Sequence, residues 1–209
     1  MIEQIPRVVV LRLPLYIRAL SVLALEGKEV VNSRELGERL QIAPAQIRKD
    51  LSYFGKFGTQ GRGYNVKQLM GELRHILGLD RQWSMALIGV GRLGRAILSY
   101  EGFAPQGFRI VAAFDTDQRQ IGKKIGDLVV QDIKEIASTV RERGIDIGVV
   151  AVPPSEAQKA IDALVDCGIK AILNYAPVGA RVPGDVQLRE IDPVLALQTM
   201  TFYLKASKG

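Results

Sequence analysis

Met85-Ala86-Leu87-Ile88-Gly89-Val90-Gly91-Arg92-Leu93-Gly94 is the stretch on which the reading of this chain turns. An apolar run suited to a buried parallel strand leads directly into three glycines spaced G-x-G-x-x-G, and a helical pattern starts near Arg92. Each glycine answers a different steric demand. Gly89 permits the tight turn, Gly91 lets the backbone approach a pyrophosphate, and Gly94 lets the helix pack on the strand, with phosphates over the helix N-terminal N–H groups. The same spacing occurs in structural turns, so the next strand decides. Arg109 to Phe114 reads as that strand and ends at Asp115, 21 residues after Gly94, where a dinucleotide-binding sheet places an acid on the adenosine ribose 2′-hydroxyl. Gly89, Val90, Gly91, Arg92, Leu93, Gly94 and Asp115 are therefore the expected nucleotide-binding residues. A carboxylate at position 115 repels a ribose phosphate, which predicts NAD+ and NADH and disfavours NADP and coenzyme A, with Arg119 the one nearby reservation.

Downstream the pattern alternates: Leu128 to Val130 as strand, Ile133 to Val140 as helix, Ile145 to Val152 as strand, Ser155 to Cys167 as helix, Ile169 to Leu173 as strand. Such alternation predicts a doubly wound parallel sheet. Ligands bind beyond the C-terminal strand ends, which draws in the loops Ala151 to Pro154 and Asn174 to Pro177, with Val152, Pro153 and Asn174 as further cofactor-binding candidates. An apolar pocket of Ala151, Val152 and Pro153 is expected to receive the nicotinamide and to disfavour the positively charged oxidised ring. Cys167 ends an Ala/Leu/Val helix with no base near it in sequence and reads as packing. The last helix, Asp192 to Leu204, is capped by Asp192 and carries more apolar residues than one face holds, so it is covered either by its own domain or by a second subunit.

Upstream, Leu13, Tyr16, Ile17, Leu20, Leu23 and Ala24 recur at helical spacing, and Gly27 is placed to end that helix. Asn32 or Ser33 can cap a second helix; Pro44 opens a third, Pro44 to Phe54, which turns Ile47, Leu51 and Phe54 inward. Gln46, Arg48, Lys49, Ser52 and Tyr53 are left on or near its outer face. Two short helices joined by a tight turn read as helix-turn-helix, and the glycine-punctuated stretch from Lys56 to Val66 reads as a hairpin wing. From Arg39 to Lys67 there are six basic residues, Lys56 and Arg62 among them, opposed by Asp50 alone. That clustering points to double-stranded DNA. One more amphipathic helix, Val66 to Leu77, precedes a polar boundary at Asp80 to Gln82.

With 209 residues, 47% of them hydrophobic, the chain can bury two small cores, and its net charge of +6 suits an acidic partner. One cysteine and one histidine, His75, exclude internal disulfides, Cys/His zinc sites and Cys/His catalytic pairs, and fit a reducing cytoplasm. The apolar run Val8 to Leu11 is broken by Arg12 and is too short for a signal core or a membrane span. Hydride transfer needs a positioned proton donor, and the C-terminal half has no histidine, while Lys170 and Tyr175 sit in no recognisable catalytic pattern. A dehydrogenase is therefore disfavoured and no catalytic residue is expected.

Taken together, the runs Ala45 to Gly55, Gly61-Arg62-Gly63-Tyr64, Leu73 to Leu79, Gly89 to Gly94 and Asn174 to Pro177 resemble the signatures of the Rex family of bacterial redox-sensing transcriptional repressors. The likeness spans nearly the whole chain; Tyr175 stands where phenylalanine is usual, and Val8 to Val10 are more apolar than the family pattern. It implies a winged-helix DNA-binding domain over residues 1–80, a Rossmann NAD(H)-binding domain over 81–190, and a terminal helix, 191–209, exchanged in a homodimer. It adds Tyr64 to the DNA-binding set and implies a switch in which Arg18, Tyr100 and Asp192 exchange polar contacts. Family members bind an inverted-repeat operator when NAD+ dominates and release it when NADH accumulates.

Overall fold

The computed structural model describes residues 5–58 and 62–206 and divides into two compact units, one ending at Arg81 and the other beginning at Gln82. In the first unit α1 runs from Arg7 to Leu25, and Leu13, Tyr16, Ile17, Leu20 and Leu23 supply its buried face. By length and mean hydropathy (1.9) this helix would also suit a membrane. Its apolar face is instead the core of the unit, packed with Leu36, Ile47, Leu51, Val66, Leu69 and Leu73. Truncating Leu20 to alanine would cost about 2–5 kcal/mol.

Asn32 caps α2 (Ser33–Leu40), its side chain accepting from the Arg34 and Glu35 N–H groups. The turn to the next helix passes through Gln41 at φ +54, the one described non-glycine residue in the left-handed region. Pro44 opens α3 (Pro44–Ser52). This helix stops two residues short of the expected end, so the half-buried Phe54 joins the core from the turn that follows.

The expected hairpin wing falls partly on residues 59–61, which lie outside the described residues, and its second half has a partner strand that the sequence did not announce. β2 (Tyr64–Asn65) pairs antiparallel with β1 (Val30–Val31), which lies between α1 and α2. A strand supplied from before the helix pair anchors the wing root. Gly58 and Gly63, both at φ +79, bring the wing backbone onto itself: a Cβ at Gly58 would run into the Gly63 carbonyl oxygen. Gly61 of the wing signature lies outside the described residues. Asn65 then caps α4 (Val66–Ile76), whose last turn ends at Gly78 with φ +66.

The second unit is built on a seven-stranded sheet. In chain order its strands are β3 (Trp83–Ile88), β4 (Phe108–Asp115), β5 (Lys124–Ile125), β6 (Leu128–Asp132), β7 (Ile147–Val150), β8 (Ala171–Asn174) and β9 (Gln187–Glu190). The spatial order is β5-β6-β4-β3-β7-β8-β9. Leaving out β5, this is the 3-2-1-4-5-6 order of a dinucleotide-binding sheet, with the reversal between β3 and β7. The sheet is not wholly parallel, because β5 pairs antiparallel with β6 at one edge. Helices α5 (Arg92–Leu98), α6 (Ile136–Arg143) and α7 (Pro154–Asp166) connect strands, and Phe114, Val150, Ile161, Leu164 and Ile172 fill one core between helix and sheet.

The terminal helix α8 (Pro193–Ala206) begins where Asp192 accepts the Val194 N–H at 2.9 Å. No residue of α8 is buried, and Phe202 and Tyr203 are 70% and 72% exposed. Of the two coverings open to this helix from its sequence, docking on its own domain is not the one observed.

Candidate functional site

The three glycines of the β3–α5 turn differ in what surrounds them. Gly89 has φ +94, and a Cβ there would come within 2.6 Å of the Ala151 carbonyl oxygen and 2.7 Å of a Val152 methyl. At Gly94 a Cβ would overlap the Gly89 carbonyl oxygen, so α5 packs on the turn only because that position is bare. A Cβ at Gly91 would meet nothing within 4 Å outside its own chain neighbours and helix, which leaves open space where a pyrophosphate would approach. The first N–H groups of α5, those of Arg92 and Leu93, have no acceptor within the helix and front this space.

Asp115, at the C-terminal end of β4, accepts the Val90 N–H at 2.8 Å through one carboxylate oxygen and the Asp117 N–H at 2.9 Å through the other. The acid therefore braces the glycine loop, and each oxygen keeps a lone pair for a ribose hydroxyl. Arg119 is taken by Asp117 in an ion pair of 2.9 Å. A cavity of about 400 Å³ opens here, lined by Gly89, Gly91, Asp115, Lys134, Ala151, Val152, Pro153 and Lys159, among others. Ala151, Val152 and Pro153, expected to form an apolar pocket, line this cavity together with Asp115.

A separate hollow of about 370 Å³ is formed by Ala96, Ile97, Tyr100, Phe103 and Tyr175. Tyr100 meets Phe103 edge to face at 4.9 Å, and burial together with the nearby Tyr100 pushes the Tyr175 hydroxyl pKa up. Asn174 does not reach toward a ligand. It is fully buried, and its amide donates to the Ala176 carbonyl and accepts the Ala176 N–H, both at 3.0 Å, so it braces the loop that positions Tyr175.

In the first unit Ile47 and Leu51 anchor α3, leaving Arg48, Lys49 and Ser52 exposed, with Tyr53 and Lys56 exposed just beyond. Arg48 donates to the Ser33 hydroxyl at 2.8 Å and shares a groove of about 650 Å³ with Lys28, Arg62 and Tyr64. Burial raises the Tyr64 hydroxyl pKa. Gln46 departs from the outer set: half-buried, it donates to Asp50 at 2.6 Å. Asp50, the lone acid among the basic residues, is wholly buried, so no carboxylate from this stretch faces outward.

A family model described as "CoA binding domain" matches residues 80–178, and one described as "Putative DNA-binding protein N-terminus" matches residues 4–52. The redox-sensing transcriptional repressor Rex of Chloroflexus aurantiacus is 53% identical over 95% of this chain and 94% of its own length. This chain belongs to the Rex family. Among solved structures, the repressor RSP in complex with β-NAD+ and operator DNA is 39% identical with a TM-score of 0.91, covering 97% of this chain and 94% of its own. RSP with β-NADH gives 37% and 0.89, over 98% and 96%.

Within this Rex fold the sequence reasoning missed Lys28, Lys134 and Lys159. The signal for Lys134 was topological: β6 lies beside β4, so the residues after it must border the cleft next to Asp115. Lys28 is brought to the groove by the β1–β2 pairing, which no local pattern foretells. His75, the one histidine, is exposed on α4 with its Nδ1 2.9 Å from Asp80, and no group of three potential metal ligands occurs among the described residues.

Proposed function

We propose that this chain is a cytoplasmic, homodimeric repressor that binds an inverted-repeat DNA operator and releases it when NADH occupies the glycine-loop cleft. What carries the reading is the joint presence, in one chain, of a basic helix-turn-helix face and a dinucleotide cleft, in a fold like that of a repressor solved with nucleotide and operator. The adenosine half lies against Asp115, and the nicotinamide half reaches the aromatic hollow of Tyr100 and Tyr175. Arg48 and Lys49 read the major groove, with Ser52, Tyr53, Lys56, Arg62 and Tyr64 on the flanking backbone or groove. Two copies related by a two-fold axis require half-sites about 34–36 Å apart or a multiple. The chain performs no chemistry on its ligands.

The deciding experiment selects an inverted-repeat duplex from a random pool with the parent protein, then titrates binding with NAD+, NADH or coenzyme A present. Release by NADH alone is expected; equal binding in all three would refute the nucleotide switch, and release by coenzyme A would favour the family model's description over Asp115. By linkage, saturating duplex must weaken NADH binding by the same factor that NADH weakens the duplex, about 5- to 150-fold for a coupling of ordinary size.

Two substitutions test the residue assignments. Arg48→Ala should lose about 1–3 kcal/mol of binding to the selected duplex and relax preference at one base pair; loss spread evenly over all sequences would make Arg48 a backbone contact instead. Asp115→Ala should weaken NADH by about 1.5–3 kcal/mol, the range for a hydrogen bond to a charged group, while NADPH improves relative to it. Unchanged rejection of NADPH would remove Asp115 from nucleotide selection.

A further inference from the structure

Asp50 occupies an apolar position. On α3 it shares the inward face with Ile47 and Leu51, and all three are essentially without solvent exposure. A carboxylate there is costly unless every lone pair is engaged. Here they are. Arg12 donates to both carboxylate oxygens, through Nε at 2.5 Å and an Nη at 2.7 Å; the Tyr16 hydroxyl donates at 2.5 Å; and Gln46, one turn earlier on α3, donates at 2.6 Å. Arg12 and Tyr16 stand one turn apart on α1, so both point at the same spot. Burial alone would raise the Asp50 pKa, but these three donors outweigh it and hold the acid below its ordinary value.

Two apolar contacts, from Ile47 and Leu51, let a nine-residue helix roll or slip at little cost, because hydrophobic attraction has no direction. Four directional hydrogen bonds on one carboxylate do not. We infer that Asp50 is the positioning residue of the recognition helix, fixing the roll of α3 against α1 so that Arg48 and Lys49 face outward together. The inference rests on α3 being the DNA-reading helix. It also assigns Gln46 to the clamp rather than to base reading, and makes α1 and α3 turn as one piece, so any force on the outer face of α1 is delivered to the DNA-reading side chains.

The test compares Asp50→Asn, Tyr16→Phe and Arg12→Lys with the parent as full-length chains. For each, affinity is measured for the selected inverted-repeat duplex and for a mixed-sequence duplex of equal length, together with NADH affinity and Tm. A positioning role predicts that Asp50→Asn loses about 5- to 150-fold for the selected duplex, the size of one lost base-reading contact, while the mixed-sequence duplex and NADH bind as before. Arg12→Lys, which keeps the charge but loses the two-pronged geometry, should fall between parent and Asp50→Asn. A merely stabilising role moves Tm and both duplex affinities together, and that result, or an unchanged ratio of the two affinities, overturns the inference. Should Asp50→Asn fail to fold, Tyr16→Phe, which removes one donor and keeps the ring, carries the same comparison. If the parent itself does not prefer the selected duplex, the DNA-reading assignment fails first, and the two failures are told apart.

Discussion

A chain ended after Ile191 is expected to be monomeric and to bind the selected duplex about 10²- to 10⁴-fold more weakly than the parent, the range lost when two linked sites become independent. The argument starts from α8, where Val194, Leu195, Leu197, Met200, Phe202, Tyr203 and Leu204 are all exposed in the single chain. An apolar surface of this extent is covered in a functioning protein, and Asp192 and Pro193 start the helix cleanly, so it forms without its cover. The shortened chain keeps both glycine loop and recognition helix, and its NADH site should still bind. Sedimentation of the two chains alongside the duplex titration checks this. A shortened chain that remained dimeric and bound the duplex as the parent does would place the interface elsewhere.

The second large effect is expected at Gly94. Replacing it with alanine puts a methyl group into the Gly89 carbonyl oxygen, which belongs to rigid backbone between β3 and α5 and cannot swing aside. The turn must open, at a cost of about 1–3 kcal/mol or more for overpacking a well-filled site, and the N–H groups of α5 lose their aim. NADH binding should be lost while the first unit is untouched, leaving a repressor that holds its duplex at any NADH concentration. Gly91→Ala makes the contrast: its methyl enters open space, so stability should stay near that of the parent while the nucleotide is obstructed. If Gly94→Ala bound NADH normally, the turn would be more pliant than its packing indicates.

Local patterns made the glycine loop, the Asp115 strand end and the helix-turn-helix legible, because each depends on residues close together in sequence. Legibility ended where long-range pairing takes over. The wing root needs Val30–Val31, more than thirty residues before its partner strand. β9 carries one half-buried residue among exposed ones, too weak an alternation to announce a strand. Asp50 was counted as an acid opposing six bases, yet it faces inward, and only Arg12 and Tyr16 on another helix could have said so. The loops after β7 and β8 were legible as loops at the C-terminal strand ends, but which neighbours each meets there depends on strand order. β7 lies directly beside β3 and β8 one strand farther out, so Val152 and Pro153 fall near Asp115 while Tyr175 joins Tyr100.

Cys167 ends α7 half-buried, and burial together with Asp166 pushes its thiol pKa above the ordinary value. At neutral pH it stays protonated, the form slow to meet peroxides or disulfides. The chain has no other cysteine. A sensor so built has no disulfide to form within one chain and none to reduce. Its answer at any moment is set by which nucleotide sits in the cleft, and it follows the nucleotide pool back as readily as it followed it out.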